Sequence, residues 1–287
     1  MIKRYFPIRL HCWGGLGSQL CAWALYLDLE KSYKSRRIKI YFHSSGVTRR
    51  TPEQILFTKT CNVIFRDDFV RIDQSSDILR HSYKNSVGLF KIILEYFGFF
   101  SHANTNKDFD NMRKNIIEIR GHYSHRKISD YSLNLILEKF SGNKPAEYLN
   151  HHLNDSLMIH YRLGDLLNYD IKSYIKPHHI MELIEAIPKN LSIRKVFVYS
   201  DSPKAAESFF TNPNFDFKFM SVDPLDVIRQ SLTYKYFIGT NSKISIWIVL
   251  LRLHLNDKSY NALPVQLKND LELLKPNINT NTNFIYY

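Results

Sequence analysis

Cysteine is scarce in this chain of 287 residues. The three cysteines, Cys12, Cys21 and Cys61, form no CxxC pair and no zinc-ligand spacing. An odd number of cysteines without such spacing does not favour a disulfide framework. We therefore expect a reducing compartment, namely the cytoplasm.

Long apolar runs are also missing. The longest, residues 87–100, has 14 residues and includes Lys91 and Glu95, whereas a membrane-spanning helix needs about 20 apolar residues. The first residues, 1–7, lead directly into a strand-like run and do not resemble a signal peptide. We therefore expect residues 87–100 to form a core or interfacial helix.

Acidic residues are under-represented. The chain has 27 Asp and Glu against 39 Lys and Arg, a net charge of +12. Most of the excess lies in residues 1–150, where 24 basic residues face 14 acidic ones (net +10), while residues 151–287 have 15 and 13 (net +2). A basic half suits anionic lipid headgroups, nucleic acid or acidic substrates; the simpler alternative is a solvated surface that keeps the protein soluble.

Apolar residues make up 44% of the chain, which is enough for real cores. In the first half the pattern predicts strands at residues 7–12, 37–42 and 116–120. It also predicts three helices: one directly after the first strand, one at 87–96 and one at 131–140. Residues 44–85 show no regular pattern. A linker at 141–145 divides the chain into predicted domains 1–145 and 146–287.

The second half repeats a strand–loop–helix unit four times, which is typical of a doubly wound α/β domain. The predicted strands are residues 157–160, 195–199, 217–220 and 236–238. Four helices are predicted. One lies near 177–187, one begins near Pro203, one begins at Pro224 with Asp223 as its N-cap, and one ends near His254. The Asn- and Thr-rich tail, 275–287, is predicted to be an arm or a frayed end.

The most informative stretch follows the first of these strands: His160-Tyr161-Arg162-Leu163-Gly164-Asp165. Ligands of open α/β sheets bind beyond the carboxyl ends of the strands. Arg162 can donate two hydrogen bonds to a phosphate, and Asp165 could fix the arginine or a substrate hydroxyl. The motif predicts a site for a phosphorylated ligand; the alternative is a surface loop in which Arg162 and Asp165 merely pair.

Two further strand ends carry short polar residues. Ser200-Asp201 could contact a base or a ribose, and Asn241-Ser242, which opens a helix, suits a pyrophosphate. Each is equally consistent with an ordinary helix cap. Three polar loops on the carboxyl ends of strands in one half of the chain favour the ligand-binding interpretation.

A glycine turn between the first strand and its helix is the fourth candidate. Gly14, Gly15 and Gly17 allow backbone N–H groups to approach an anion at a helix N-terminus, with Ser18 as the predicted N-cap. The spacing is neither GxGxxG nor a P-loop, so a plain tight turn stays open as an alternative. The neighbouring His11 could be a base or a satisfied polar residue.

These residues bear a family resemblance. Gly14-Gly15-Leu16-Gly17-Ser18-Gln19-Leu20 resembles the Gly-Gly-Leu-Gly-Asn-Gln-Met opening of bacterial α-1,2-fucosyltransferases. Residues 160–165 resemble the His-x-Arg-Arg/Leu-Gly-Asp motif shared by α-1,2-, α-1,6- and protein O-fucosyltransferases. Residues 199–201 and 237–247 are similar to the family's Phe-Ser-Asp-Asp and Ile-x-Ser-Asn-Ser-x-Phe-Ser-Trp-Trp segments.

The resemblance implies a GT-B fold, that is, two Rossmann-like domains facing a cleft, with the acceptor on the N-terminal domain and GDP-fucose on the C-terminal one. It also implies inverting transfer without a metal or other cofactor, which agrees with the absence of a convincing Asp-x-Asp motif, since Asp67 and Asp68 are adjacent. The chain departs from the family pattern at Ser18, Leu163, Ser202 and Ile246, so another nucleotide-sugar donor stays open.

The sequence thus predicts a fucosyltransferase that builds a bacterial surface glycan such as O-antigen. Arg162 would neutralise the β-phosphate, with Asp165 and His11 as candidates for the general base. The predicted donor-binding residues are Gly14, Gly15, Gly17, His160, Arg162, Ser200, Asp201, Asn241 and Ser242. The expected partners are a nucleotide-sugar and a glycan or lipid-linked oligosaccharide, with the basic half on the anionic inner membrane. No nucleic-acid motif appears, but a non-enzymatic protein that binds RNA or anionic glycan is the second alternative.

Overall fold

A computed structural model describes twelve segments of the chain. They are residues 7–34, 36–43, 69–72, 96–97, 100–102, 116–121, 123–141, 153–163, 175–186, 193–255, 259–275 and 284–287. The chain divides into two compact units, residues 1–134 and 135–287, whereas the sequence places a boundary between residues 145 and 146. No helix among the described residues is both long enough and apolar enough to cross a membrane.

Unit 1 is a parallel α/β sheet. Its described strands are β1 (Ile8–Trp13), β2 (Ile38–His43), β3 (Phe69–Ile72), β4 (Phe100–His102) and β5 (Glu118–Arg120), in the order β3-β2-β1-β5-β4. Helix α1 (Leu16–Ser32) connects β1 to β2, and helix α2 (Asp130–Ser141) spans the division between the units. The strands β1 and β2 and the first helix were predicted within a few residues. The short strand β3 was not predicted, because its four residues lie in a segment with no regular pattern.

Helix α1 packs deeply in unit 1, and one buried charge fixes its far end. Asp28 Oδ2 accepts a hydrogen bond from Arg126 at 2.6 Å, and its Oδ1 accepts one from the Ser132 hydroxyl at 2.6 Å. A buried carboxylate needs such partners, since an unpaired charge in a core is strongly unfavourable. The arrangement therefore ties helix α1 to the first turn of helix α2.

Unit 2 is a larger parallel sheet with the Rossmann strand order. Its described strands are β6 (Leu153–His160), β7 (Lys195–Tyr199), β8 (Asp216–Met220), β9 (Tyr234–Gly239), β10 (Tyr260–Leu263) and β11 (Phe284–Tyr286). The order β11-β10-β9-β6-β7-β8 corresponds to 6-5-4-1-2-3. The chain therefore reverses direction across the sheet between β6 and β9, and such a switch point is where open α/β sheets bind ligands.

Helices cover both faces of this sheet. They are α3 (Pro177–Ala186), α4 (Pro203–Glu207), α5 (Pro224–Ser231), α6 (Lys243–Leu255), a 3₁₀ turn (Val265–Leu267) and α7 (Lys268–Leu274). Side chains alternate along each strand: Leu157 and Ile159 of β6 pack in the core with Ile180 of α3, while His160, next along β6, contacts Ser245 of α6. The expected α/β class, with two Rossmann-like parallel units, is confirmed.

Sequence predictions for several elements are corrected or confirmed. Ser18 is not an N-cap, because helix α1 begins at Leu16 with Gly15 in the capping position. The tail is not wholly a frayed arm, because Phe284–Tyr286 forms strand β11 on β10. Asp223 is confirmed as the N-cap of α5, since its carboxylate accepts from Leu225 N at 2.9 Å. The predicted helix at 87–96 lies outside the described residues except for Tyr96. The expectation that the whole run 87–100 is helical is wrong at its end, because Phe100 begins strand β4.

Candidate functional site

The carboxyl ends of three adjacent strands of unit 2 lie level with one another. His160, the last residue of β6, pairs in register with Tyr199 on β7 and with Gly239 on β9. The loops that begin at residues 161, 200 and 240 therefore leave the sheet side by side at the switch point. Sequence reasoning singled out these three loops separately, and the structure brings them together.

Thr240 connects the loops that follow β6 and β9. Its backbone N–H and its hydroxyl both donate to the carbonyl oxygen of His160, at 3.1 and 2.9 Å. The same hydroxyl accepts from the backbone N–H of Arg162 at 3.0 Å. Thr240 is only 1% exposed, so these hydrogen bonds lie in a dry environment and fix the backbone at Arg162.

The segment 161–163, called here the Arg162 loop, is anchored on both sides of the arginine. The side chains of Tyr161 and Leu163 are completely buried in the core of unit 2, while Arg162 between them is half-buried. Asp201 Oδ1 accepts from the backbone N–H of Leu163 at 2.9 Å, and Tyr161 N donates to Tyr199 O at 2.8 Å. The backbone of the loop is thus fixed on both sides of Arg162, the residue that the sequence predicts to contact the β-phosphate.

His160 is neutral at physiological pH. Its ring is buried, and its Nδ1 lies 2.7 Å from the Ser245 hydroxyl of α6. Burial lowers the pKa of His160 to about 4; nearby Asp201 raises it and Arg162 lowers it further, both less strongly than burial. A neutral imidazole in this position joins strand β6 to helix α6 and supplies no positive charge for a phosphate.

The serines of the site act partly as caps. Ser242 is buried, and its hydroxyl accepts from Ile244 N at 3.2 Å in the first turn of α6. Ser200 Oγ accepts from Ser202 N at 3.1 Å. The capping interpretation is therefore correct for Ser242 only, because helix α4 has Ser202 in the N-cap position without a side-chain cap hydrogen bond. The N-terminus of α6 lies at the switch point. Asn241, predicted to contact phosphate, is half-buried at the same place.

Gly239 is a site residue that sequence reasoning missed. A Cβ on this residue would lie 2.7 Å from Ser245 Cβ and 2.7 Å from Leu263 Cδ2. Helix α6 therefore packs directly on the end of β9, which only glycine permits. The available signal was a glycine at the last position of a strand, immediately before a polar loop.

In unit 1 the glycine turn has the predicted conformation. Gly14 has φ +90°, which side-chain-bearing residues rarely adopt, and Gly15 caps helix α1 with extended backbone. Gly17 lies inside the helix and is buried. Gln19, not singled out from sequence, is also buried; its Nε2 donates to Gly14 O at 3.3 Å, while its Oε1 has no hydrogen-bond partner within the part of the chain that the structure describes.

His11 lies next to this turn on β1. It is 4% exposed, its ring stacks on Tyr41 with centroids 5.4 Å apart, and its Nε2 is 3.9 Å from Glu118 Oε1. Its backbone carbonyl accepts from the Tyr123 hydroxyl. These contacts hold the ring within the sheet of unit 1. Both interpretations of His11, as a base and as a satisfied polar residue, stay predictions.

Two other predictions lie outside the described residues. Gly164 and Asp165 follow the last described residue of the Arg162 loop. The stated absence of an Asp-x-Asp motif is also corrected, because Asp108-Phe109-Asp110 has this spacing; the triplet lies outside the described segments. Within those segments no three His, Cys, Asp or Glu residues are grouped as metal ligands would be. The independence from a metal therefore stays a prediction.

No family model and no curated protein sequence matches the chain. Solved structures to which the chain is similar include POFUT1 in complex with GDP, with 13% identity and a TM-score of 0.40 over 91% of this chain and 99% of that one. Another is the E. coli heptosyltransferase WaaC with ADP, with 11% identity and a TM-score of 0.45 over 98% and 92%. A glycosyl transferase of family 9 from Veillonella parvula has 11% identity and a TM-score of 0.36 over 92% and 80%. Identities and TM-scores this low identify neither a substrate nor the role of any residue in this chain.

Proposed function

We propose that the protein is an inverting, metal-independent glycosyltransferase of GT-B type that transfers fucose from GDP-fucose to a sugar hydroxyl of a bacterial surface glycan. The observation that supports this most directly is the Arg162 loop, which Thr240 and Asp201 hold at the switch point of a Rossmann sheet. A guanidinium carried by a fixed backbone at that position suits a nucleotide diphosphate. The resemblance of residues 14–20 and 160–165 to fucosyltransferase motifs supports the choice of donor.

The reaction requires stabilisation of a departing diphosphate. The acceptor hydroxyl oxygen attacks C1 of the donor sugar, the bond from C1 to the β-phosphate oxygen breaks, and the acceptor proton passes to a general base. Negative charge grows on the β-phosphate as GDP leaves. Arg162 and the N-terminus of helix α6 would stabilise that charge, and Asp165 and His11 are the candidates for the base.

The other site residues would orient the donor. Asn241 and Ser242 lie at the start of α6, where the phosphates would bind, and Ser200 and Asp201 follow β7, where the nucleoside would bind. His160 would position the loop from within the sheet. In this assignment unit 2 binds the donor; unit 1 binds the acceptor glycan and supplies the glycine turn, Gly14, Gly15 and Gly17, whose N–H groups would approach the diphosphate.

One observation favours a second candidate, a transferase with a different nucleotide-sugar. Leu163 occupies the place where the α-1,2-fucosyltransferase motif usually has a second arginine, and its side chain is fully buried in the core. This position therefore contributes packing and no positive charge. With one arginine in place of two, the pocket around the diphosphate differs from the family pattern, and so the donor sugar could differ as well.

A panel of nucleotide-sugars tests the proposal. The purified full chain is incubated with GDP-fucose, GDP-mannose, ADP-heptose and a dTDP-sugar, with and without EDTA, and both thermal stabilisation and release of the nucleotide are measured. We expect GDP-fucose to stabilise the protein against thermal unfolding and to be hydrolysed, both in the presence of EDTA. Turnover of another donor alone would identify the second candidate. Binding to RNA or anionic glycan with steep salt dependence, and no turnover of any donor, would contradict both.

A further inference from the structure

Tyr287, which directly follows strand β11, reaches the site from the tail 275–287 that the sequence predicted to be an arm or a frayed end. Its backbone N–H donates to Leu263 O at 3.0 Å, and its carbonyl accepts from Val265 N at 2.8 Å. These hydrogen bonds extend the parallel pairing of β10 with β11. The backbone of Tyr287 is therefore held firmly beside the end of β10, two strands away from β6.

The phenol of Tyr287 contacts the last residue of β9. Its hydroxyl donates to the carbonyl oxygen of Gly239 at 2.9 Å. The ladder between β9 and β10 ends one residue earlier, at the pair Ile238 and Ala262. The hydroxyl thus supplies a hydrogen bond to the first carbonyl beyond the regular pairing.

The peptide unit between Gly239 and Thr240 is consequently held from both sides. Its oxygen accepts from Tyr287, and its N–H donates to His160 O at 3.1 Å. The next group along the chain, the Thr240 hydroxyl, accepts from Arg162 N. A continuous series of hydrogen bonds therefore runs from Tyr287 through this peptide to the Arg162 loop.

The phenol remains a donor at all relevant pH values. Its ring packs against the core of unit 2, and burial raises the pKa of Tyr287 further above its usual value. Because the hydroxyl stays protonated, its bond to the Gly239 carbonyl does not depend on pH in the physiological range.

We propose that Tyr287 is a positioning residue for the donor site: its hydroxyl fixes the Gly239–Thr240 peptide, and through Thr240 it fixes the backbone of Arg162. The chemical consequence rests on the proposed function, whereas the structural consequence does not. The guanidinium can stabilise a diphosphate only if its loop is in place before the donor binds. Removing the hydroxyl loosens the loop without removing any group that touches the donor.

The test compares Tyr287→Phe with Tyr286→Phe. Each substitution removes one hydroxyl at the carboxyl end of β11, but the Tyr286 hydroxyl has no hydrogen-bond partner among the described residues, which makes it a matched control. Loss of one neutral hydrogen bond weakens an equilibrium by about fivefold. We expect the Kd for GDP and the KM for the donor to rise about fivefold in Tyr287→Phe and to stay unchanged in Tyr286→Phe.

Amide hydrogen exchange of the nucleotide-free full chain supplies the second measurement. Residues 159–163 and 239–242 should exchange faster in Tyr287→Phe than in the wild type or in Tyr286→Phe, while the strands of unit 1 should not change. Faster exchange in a protein that binds no nucleotide would uphold the positioning role and refute the proposed function. Unchanged exchange and unchanged Kd in Tyr287→Phe would overturn the positioning role, whatever the activity of the wild type.

Discussion

At the scale of single residues, the position of Arg162 is determined by its neighbours more than by its own side chain. Tyr161 and Leu163 are buried on either side, and two backbone N–H groups of the loop bond to Asp201 and Thr240. Truncation of the arginine should therefore leave the fold intact. A donor that stabilises charge in the transition state contributes about 2–4 kcal/mol, so we expect Arg162→Ala to reduce turnover by about 30- to 1,000-fold with little change in Tm.

Arg194→Ala is the matched control for that variant. Arg194 is exposed and precedes β7, at the opposite edge of the same sheet. The Arg194→Ala substitution removes the same charge from the same unit, and we expect this variant to have near-normal turnover. Arg162→Lys should be intermediate, because lysine keeps the charge but not the planar fork. If Arg162→Ala retained wild-type kcat/KM, the guanidinium would have no part in the reaction.

His160 should make stability depend on pH at the acid side. Its pKa is lowered to about 4 in the folded protein by burial and is about 6.5 in the unfolded chain. The unfolded state therefore binds more protons between these values, so the free energy of unfolding is unaffected above pH 6.5 and falls as pH decreases from 6.5 to 4. The full difference is on the order of 3 kcal/mol.

Chemical denaturation across this range measures the effect. His160→Asn is the comparison, since an asparagine amide can replace Nδ1 opposite Ser245 but does not titrate. Other groups lose stability in acid in both proteins, and only the difference between them reports on His160. We expect the wild type to lose more stability than His160→Asn between pH 6.5 and 4; parallel curves would mean that His160 is not buried in its neutral form.

At the scale of elements, the sequence predicted the strands of unit 2 well where apolar runs are clean. Strand β7 was predicted without error, and β9 to within two residues at its amino end. Strand β6 begins earlier than predicted, at Leu153, because Asn154 and Asp155 interrupt the apolar pattern. Strand β11 was missed because an Asn- and Thr-rich segment becomes a strand only by pairing with the distant β10.

The same distinction applies to the site. Polar residues directly after apolar strands identified the loops at Arg162, Ser200 and Asn241, because strand ends of a parallel sheet meet at one edge. The contacts that hold those loops join residues far apart in sequence, such as Thr240 with Arg162 and Tyr287 with Gly239. No local pattern encodes such pairs, so only the structure could show them.

The packing of helix α6 on strand β9 gives a prediction at this scale. A methyl group on Gly239 would overlap Ser245 Cβ and Leu263 Cδ2, each at 2.7 Å. One partner is close to the backbone of α6 and cannot move away cheaply. We expect Gly239→Ala to lower the free energy of unfolding by about 1–3 kcal/mol, as overpacking does, measured by urea denaturation.

Gly15→Ala is the control for stability. A Cβ on Gly15 would have nothing within 4 Å, and its φ is −73°, which alanine adopts without strain. Its cost should stay at or below about 1 kcal/mol, the value for a lost N-cap preference. Equal destabilisation by the two substitutions would show that the close approach of α6 to β9 has no energetic importance.

At the scale of the whole molecule, the excess of basic residues and the Arg162 loop lie in different halves of the chain. Residues 1–150 have 24 basic and 14 acidic residues, whereas residues 151–287, which include the Arg162 loop, have 15 and 13. A nearly neutral unit 2 that binds a diphosphate depends on a few fixed donors and little on its overall field. The excess charge of the first half therefore calls for a separate explanation.

We expect the excess charge to bind anionic lipid surfaces. Each Lys or Arg near such a surface contributes about 1 kcal/mol, and acceptors built on lipid carriers would lie there. Two described residues of the 87–100 segment, Tyr96 and Phe97, are 73% and 54% exposed, as an interfacial aromatic pair would be. Co-sedimentation should detect the full chain on vesicles that contain phosphatidylglycerol and not on pure phosphatidylcholine.

A high salt concentration and charge-reversing substitutions distinguish electrostatic binding to anionic lipid from nonspecific adhesion. At about 1 M salt the Debye length is about 3 Å, and binding to the anionic vesicles should be lost. Reversal of two exposed charges of unit 1, Lys34→Glu with Arg37→Glu, should weaken binding more than the matched pair Arg194→Glu with Lys204→Glu in unit 2, because only the first pair belongs to the basic half. Binding that is indifferent to lipid charge, or equal weakening by the two pairs, would refute a membrane role for the basic half and leave solubility as its explanation.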